Sequence, residues 1–324
     1  MSFFAILFAL LIEQVRPLAA DNPVHAAARA WVRWVARNFD AGQRHHGWLA
    51  WAMAAGLPAL LALLVNLALH TALGWPAAVL WSTVILYVTL GFRQFSHHFT
   101  EIRDALEGGD DARARVLLAQ WQQVEVAEWP REEILRRLIA HSVLAAHRHV
   151  FGTLCWFSIL AALGLGPAGA VLYRMAELVA RPQAVRPEST AVRAAAQTAW
   201  AQVDWLPARV TAMGFAVVGR FEDAIDAWRS RVQREPDADN DAVILAAAAG
   251  AIDVNLDPGG GALTPRAVGV AGGELDADEP PEDDTAIQRA PEAGHLRLVV
   301  GLVWRSVVLW LLLLALLTLA RLLG

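Results

Sequence analysis

Ten histidines and a small set of acids inside apolar sequence are the residues with chemistry to offer. His45-His46, His97-His98 with Glu101, and His147 and His149 on either side of Arg148 form three clusters. His97 and Glu101 share a helix face, but a metal site needs at least three convergent ligands, and no HExxH or comparable set accompanies them. Histidines flanking apolar runs at a membrane interface are the simpler reading, and no metal is expected. Glu132 and Glu133 have the type for acid–base work, yet they follow Pro130 at a helix start, where carboxylates complement the helix dipole. Tyr173, Arg174 and Glu177 close a long apolar stretch, and Arg174 and Glu177, at i and i+3, can pair. Asp204 and Arg209 raise the same question one segment later. Polar groups in apolar helices mark functional positions or ion pairs that hold a bundle together.

One absence is sharper than any motif. The chain contains no lysine, so every permanently charged basic side chain is arginine. That excludes a Walker A lysine, an SxxK nucleophile and a pyridoxal-phosphate Schiff base, and it makes the PGGG run at 258–261 a flexible turn rather than a phosphate loop. The single cysteine, Cys155, lies in apolar sequence, which leaves no disulfide framework and no CxxC pair and gives it a packing role. A net charge of -5 with scattered arginines argues against a nucleic-acid partner.

These residues must be positioned by a membrane scaffold. The 324 residues are 56% hydrophobic and 18% charged with a mean hydropathy of +0.38, a composition of membrane proteins. The stretch 150–180 carries no charge before Arg174, and as one straight helix it would reach ~46 Å, longer than the roughly 30 Å hydrocarbon core. The sequence GLGPAG at 164–169 predicts a break there. A broken helix at membrane depth needs protein or a water-filled cavity around it, so this segment belongs inside a bundle. Residues 48–73 and 76–92 are two apolar runs joined by Gly74-Trp75-Pro76, a tight helical hairpin. Arginines flank the hairpin and spare its turn, which predicts cytosolic flanks and an outward turn.

The remaining segments follow from composition. Residues 1–12 read as a short inserted or interfacial helix rather than a cleaved signal, and Arg29, Arg33 and Arg37, four apart, mark one face of an interfacial helix. The polar stretch 93–149 predicts a cytosolic helical hairpin running into the membrane, with an N-cap at Asp110 or Asp111 ahead of Arg113 and Arg115. Residues 200–218 form a weaker apolar helix, 221–233 an amphipathic one, and 274–284 (ELDADEPPEDD) a solvated mobile loop. A clear span closes the chain at 296–323, where Arg305 snorkels or pairs within the bundle. The expected class is an all-α integral membrane protein, a helical bundle of roughly four to six membrane segments with a broken central helix and a cytosolic helical hairpin. Its expected sections are 1–92, 93–149, 150–220, 221–295 and 296–324, in a bacterial inner membrane.

The run ALEGGDDAR at 105–113, then Leu154-Cys155-Trp156, Gly166-Pro167-Ala168-Gly169, Tyr173-Arg174 and WLPARVT at 205–211 resemble the adenosylcobinamide-phosphate synthase (CobD/CbiB) superfamily in content and order. The resemblance implies a series E-S-x-x-E-N-x-x-D on the helix entering the membrane. By spacing from Trp156 that series falls on Ala140, His141, Leu144, Ala145 and Arg148, without its carboxylates. A ligase that joins an amine to a carboxylate through ATP needs groups that hold Mg²⁺ and phosphates. On that ground the chain is similar to the AmpE branch, which implies a non-catalytic or divergent modulator of β-lactamase induction or cell-wall turnover. The alternative is a membrane-bound cobinamide-phosphate synthase using Mg-ATP; otherwise no cofactor is expected. Ligand-binding candidates are Arg113, His141, Arg148, Tyr173, Arg174, Glu177, Asp204 and Arg209, with no catalytic residue assigned. The expected partners are the lipid bilayer and a small molecule or protein at the cytosolic mouth of the bundle.

Overall fold

The structure is a computed structural model and describes residues 2–16, 22–39, 42–122, 129–181, 184–185, 189–235, 237–256 and 289–323. Apart from one isolated bridge between Val254 and Arg289, the regular structure among these residues is helical. The chain begins with α1 (Ser2–Val15), α2 (Pro23–Phe39) and α3 (Arg44–Trp51), which runs through a π-helical turn (Ala52–Gly56) into α4 (Leu57–Leu73). Then come α5 (Trp75–Thr89), α6 (Phe92–Glu107), α7 (Asp111–Gln122) and α8 (Arg131–Ala146). A second π turn (His147–Phe151) joins α8 to α9 (Gly152–Ala162), and α10 (Ala168–Ala180), α11 (Thr190–Val203) and α12 (Trp205–Val218) follow. The chain closes with α13 (Phe221–Arg234), α14 (Asn240–Ile252) and α15 (Ala293–Leu323).

Among the described residues three continuous helices are long and apolar enough to cross a membrane: Arg44–Leu73, Arg131–Ala162 and Ala293–Ala320. Shorter apolar helices accompany them in α1, α5, α12 and α14. Their exposures differ in a telling way. In the most apolar window of Arg131–Ala162, 61% of residues are buried, against 28% in each of the other two. The chain is a membrane protein in which the 131–162 helix is the central post, while α4 and α15 turn leucines such as Leu61, Leu64, Leu312 and Leu316 outward, where hydrocarbon would meet them.

Gly74, at φ 81°, turns α4 into α5 within one residue, a conformation open to glycine at no steric cost. The Trp81 indole then donates to the Ala62 carbonyl at 3.1 Å and fastens the two arms together. The break between α9 and α10 falls where the Gly/Pro run predicts it, with Gly164 at φ 82° and Gly166 at φ 56°. Gly166 has a second constraint. A Cβ there would lie 2.5 Å from the Asn66 amide nitrogen, so the turn is packed directly on a buried polar group of α4.

The polar α6–α7 pair is clamped to α8 by Arg131, whose guanidinium meets Asp111 at 2.7 Å and the Leu106 carbonyl at 2.7 Å. Glu132 and Glu133 lie in the first turn of α8 and bond to Arg136 and Arg137 at 2.5–2.6 Å, a dipole-facing acid pair neutralised within its own helix. The backbone of α8 then continues into α9 without a stop. The sequence of 235–292 is rich in acids, Gly and Pro and by composition alone reads as a linker. Within it the structure has α14, an alanine-rich helix buried against α12 and α13, and a Cβ on its Gly250 would lie 2.3 Å from the Asp223 carbonyl oxygen. The acidic run at 274–284 lies outside the described residues.

Candidate functional site

The second π turn sets the site. A π turn places one extra residue in a helical turn and re-aims the side chains around it. Here it puts His147 fully inside the protein and leaves Arg148 half-buried at a cleft. Opposite it, α11 ends and α12 begins at Asp204, whose backbone carbonyl accepts from the Ala208 amide at 2.9 Å. The Trp156 indole meets the neighbouring Val203 carbonyl at 2.9 Å.

Between these elements lies a buried polar knot. His147 Nε2 is 2.8 Å from Asp204 Oδ1, and His147 Nδ1 is 2.9 Å from the Thr211 hydroxyl. The Tyr173 hydroxyl donates to the same Asp204 oxygen at 2.8 Å. His147, Asp204 and Tyr173 are each 0% exposed. Both nitrogens of the imidazole are engaged, which fixes the orientation of the ring. Tyr173 reaches the knot only because position 152 is glycine, since a Cβ there would stand 2.1 Å from the phenol oxygen. Asp204 Oδ2 is buried and unbonded among the described atoms, an expensive state for a carboxylate oxygen.

His147, Asp204 and Tyr173 each have a chain neighbour on or against a cleft of about 560 Å³. Arg148 follows His147, Trp205 follows Asp204, and Arg174 follows Tyr173 and donates to the Arg148 carbonyl at 3.4 Å. The cleft is lined by Glu177 and Arg181 of the α10 end, Trp200 and Trp205 of the α11–α12 corner, Arg209, and the segment 237–241 that opens α14. Its charges are interleaved. Arg148 pairs with Asp241, and Glu177 bonds to Arg181 at 2.7 and 3.0 Å and to Arg174 at 3.3 Å. Arg209 stacks over the Trp205 ring at 4.3 Å and donates to Asn240 at 2.9 Å. Asp239 caps α14 by accepting from the Ala242 amide at 2.8 Å, which leaves Asp237 and Asp239 facing solvent. Burial pushes the Asp241 carboxyl above its ordinary range while Arg148 pulls it back, and the Glu177 carboxylate holds the Arg181 guanidinium above its own.

Of the residues singled out from sequence, the structure gathers Arg148, Glu177 and Arg209 at the cleft and Tyr173, Arg174 and Asp204 beneath or beside it. Two do not join them. His141 packs edge-on against Trp121 of α7, with ring centroids 4.3 Å apart, and Arg113 is exposed on α7 with its amide bonded to Asp110 at 3.0 Å. His141 enters by its spacing from Trp156 and Arg113 by the run at 105–113, and the two face α7 and solvent rather than the cleft. His147, Thr211, Arg181 and the 237–241 segment are additions. His147 stood in a cluster with His149, yet its partners lie 57 and 64 residues away. Among the described residues no three His, Cys, Asp or Glu side chains converge as a metal site; the side chain of His97 lies outside them. Cys155 is buried and free.

A comparison of the chain with protein families bears on this geometry directly. The family model described as CobD/Cbib protein matches residues 3–262, which include every residue of the knot and the cleft. A cobalamin biosynthesis protein CobD of Stutzerimonas stutzeri (strain A1501) is 30% identical over 279 residues, 84% of this chain and 82% of its own length. Another protein of that description, from Chromobacterium violaceum, is 29% identical over 226 residues, 65% of this chain and 67% of its own. No solved structure matches. The chain belongs to the CobD/CbiB family.

That finding overturns the expectation of a non-catalytic, AmpE-like modulator of β-lactamase induction or cell-wall turnover. The relatives are named for cobalamin biosynthesis and nothing among them points to signalling. The expectation rested on a face of α8 without carboxylates. Acids reach the cleft from α10 and the start of α14, and Asp241 pairs with Arg148.

Proposed function

We propose that the chain is a membrane-bound adenosylcobinamide-phosphate synthase of cobalamin biosynthesis, located in the bacterial inner membrane with its cleft open to the cytosol. The observation that carries the reading is the family match over 3–262, which takes in the whole cleft and stops short of α15. The reaction joins the amine of aminopropanol phosphate to a carboxyl of adenosylcobyric acid at the expense of ATP. Each substrate carries an anionic group, a carboxylate or a phosphate, as does the nucleotide, and the cleft offers Arg148, Arg181 and Arg209 to them. The Arg209 guanidinium, held flat on Trp205 and bonded to Asn240, is preorganised for a phosphate.

A nucleotide brings Mg²⁺ with it. Mg²⁺ keeps several waters and takes one or two protein carboxylates plus phosphate oxygens, so a preformed cage of three acids is not required. Exposed Asp237 and Asp239 at the mouth would hold the ion, while Asp241 stays with Arg148. The role of the chain is then to bind, orient and charge-match its substrates. Complementation tests this. Expressed in a strain lacking its own synthase, the gene restores cobalamin-dependent growth; membrane-inserted protein without growth contradicts the reading.

A further inference from the structure

Apart from Arg209, which is held by Asn240 and Trp205, the arginines around the cleft and those at 136–137 of α8 are matched by carboxylates: Arg136 and Arg137 by Glu132 and Glu133, Arg148 by Asp241, Arg174 and Arg181 by Glu177. The α2 helix is built differently. Its 17 residues hold Arg29, Arg33 and Arg37 and no acid, and among the described residues no carboxylate pairs with the three. Four-residue spacing puts them on one stripe. Arg29, at the edge of the stripe, is half-buried, and the buried side of the helix carries Val32, Val35 and Ala36 in a cluster with Ala54, Ala55 and Met175.

The helix is also fixed in place. The Trp31 indole donates to the Ala54 carbonyl at 3.3 Å, and His25 Nε2 lies 3.0 Å from the Val88 carbonyl, so α2 is tied to both arms of the first apolar hairpin. Arg33 and Arg37 are exposed. Trp34, 44% exposed, borders the stripe and stacks on Trp31 with centroids 5.3 Å apart. Exposed Arg44 opens the first long apolar helix close by in sequence. A docked helix whose only permanent charges are arginines, with an indole at its edge, beside the entry of a membrane helix, has the make-up of an element lying in the headgroup layer.

We propose that α2 is a binding surface for anionic phospholipid, with headgroup phosphates of phosphatidylglycerol type engaged by Arg29, Arg33 and Arg37 and Trp34 seated beside them. A guanidinium without a carboxylate partner is free to take a phosphate in bidentate fashion. The surface lies outside the cleft and does not depend on what the cleft does.

The test uses the full chain purified in neutral detergent, titrated with phosphatidylglycerol or phosphatidylcholine, with bound lipid counted by native mass spectrometry. Phosphatidylglycerol binds preferentially, and its half-saturation weakens about fivefold for each arginine changed to glutamine. R29K/R33K/R37K keeps most of the preference, and Arg229→Gln on α13 leaves it unchanged. Equal uptake of the two lipids, or the same half-saturation in R29Q/R33Q/R37Q as in the parent, overturns the proposal. Should the triple glutamine variant fail to fold, the parent protein decides: its preference falls as salt rises, and a salt-insensitive preference overturns the proposal as well.

Discussion

The Tyr173 hydroxyl and the His147 imidazole meet one oxygen of Asp204, each at 2.8 Å, in a place with no solvent exposure. Three segments far apart in sequence, the π turn, α10 and the α11–α12 corner, are joined at a single atom. Removing the carboxylate strands two buried polar groups at once. Asp204→Ala is expected to cost ~3–5 kcal/mol of stability, and Tyr173→Phe, which removes one hydrogen bond, about 1–2 kcal/mol. Thermal unfolding in detergent measures both. Unchanged melting in Asp204→Ala would mean the knot carries no weight.

Gly152 should be coupled to Tyr173 through space. Its missing Cβ leaves the gap that the phenol fills, at a separation of 2.1 Å if the atom were present. Gly152→Ala is expected to destabilise by ~1–3 kcal/mol in the parent and by much less in a Tyr173→Ala background. The double-mutant cycle measures this coupling; strictly additive effects would refute it.

The pairing of Arg148 with Asp241 separates stability from function. Their side chains are 33% and 28% exposed, so the ion pair itself contributes ~1 kcal/mol or less to folding. Asp241→Asn is therefore expected to leave melting almost unchanged while lowering synthase turnover by about 10²-fold, since it takes a charge from the cleft and frees Arg148 to shift. Equal loss of stability and activity would assign the pair to folding alone.

Topology follows from the arginine flanks of the first hairpin. A cysteine at position 75, in a Cys155→Ser background, is expected to react with an impermeant thiol reagent added to intact cells, and one at position 110 is expected to be protected. The reverse labelling pattern would invert the orientation and put the cleft on the wrong side of the membrane for ATP.

Local chemistry made the skeleton legible. Gly74 and the Gly164–Gly166 pair take φ values that favour glycine, so the hairpin and the broken helix could be read from residue type. The acids after Pro130 marked a helix start for an equally local reason. What escaped reading was non-local. The start of α14 looked like more of an acidic linker, because an alanine-rich helix packed on all sides shows no polar face to betray its period. The π turn leaves no mark in composition at all. Without it His147 and Arg148 cannot be assigned to the interior and the cleft, and spacing along α8 gives no hint of the carboxylates that reach the cleft from helices later in the chain.

The central claim is that this cleft makes an amide bond. Purified protein in detergent, supplied with adenosylcobyric acid, aminopropanol phosphate, ATP and Mg²⁺, is expected to yield adenosylcobinamide phosphate by mass spectrometry. Product should appear only with nucleotide present and be strongly reduced in Arg209→Ala. Folded, monodisperse protein that forms no amide product under these conditions would contradict the account.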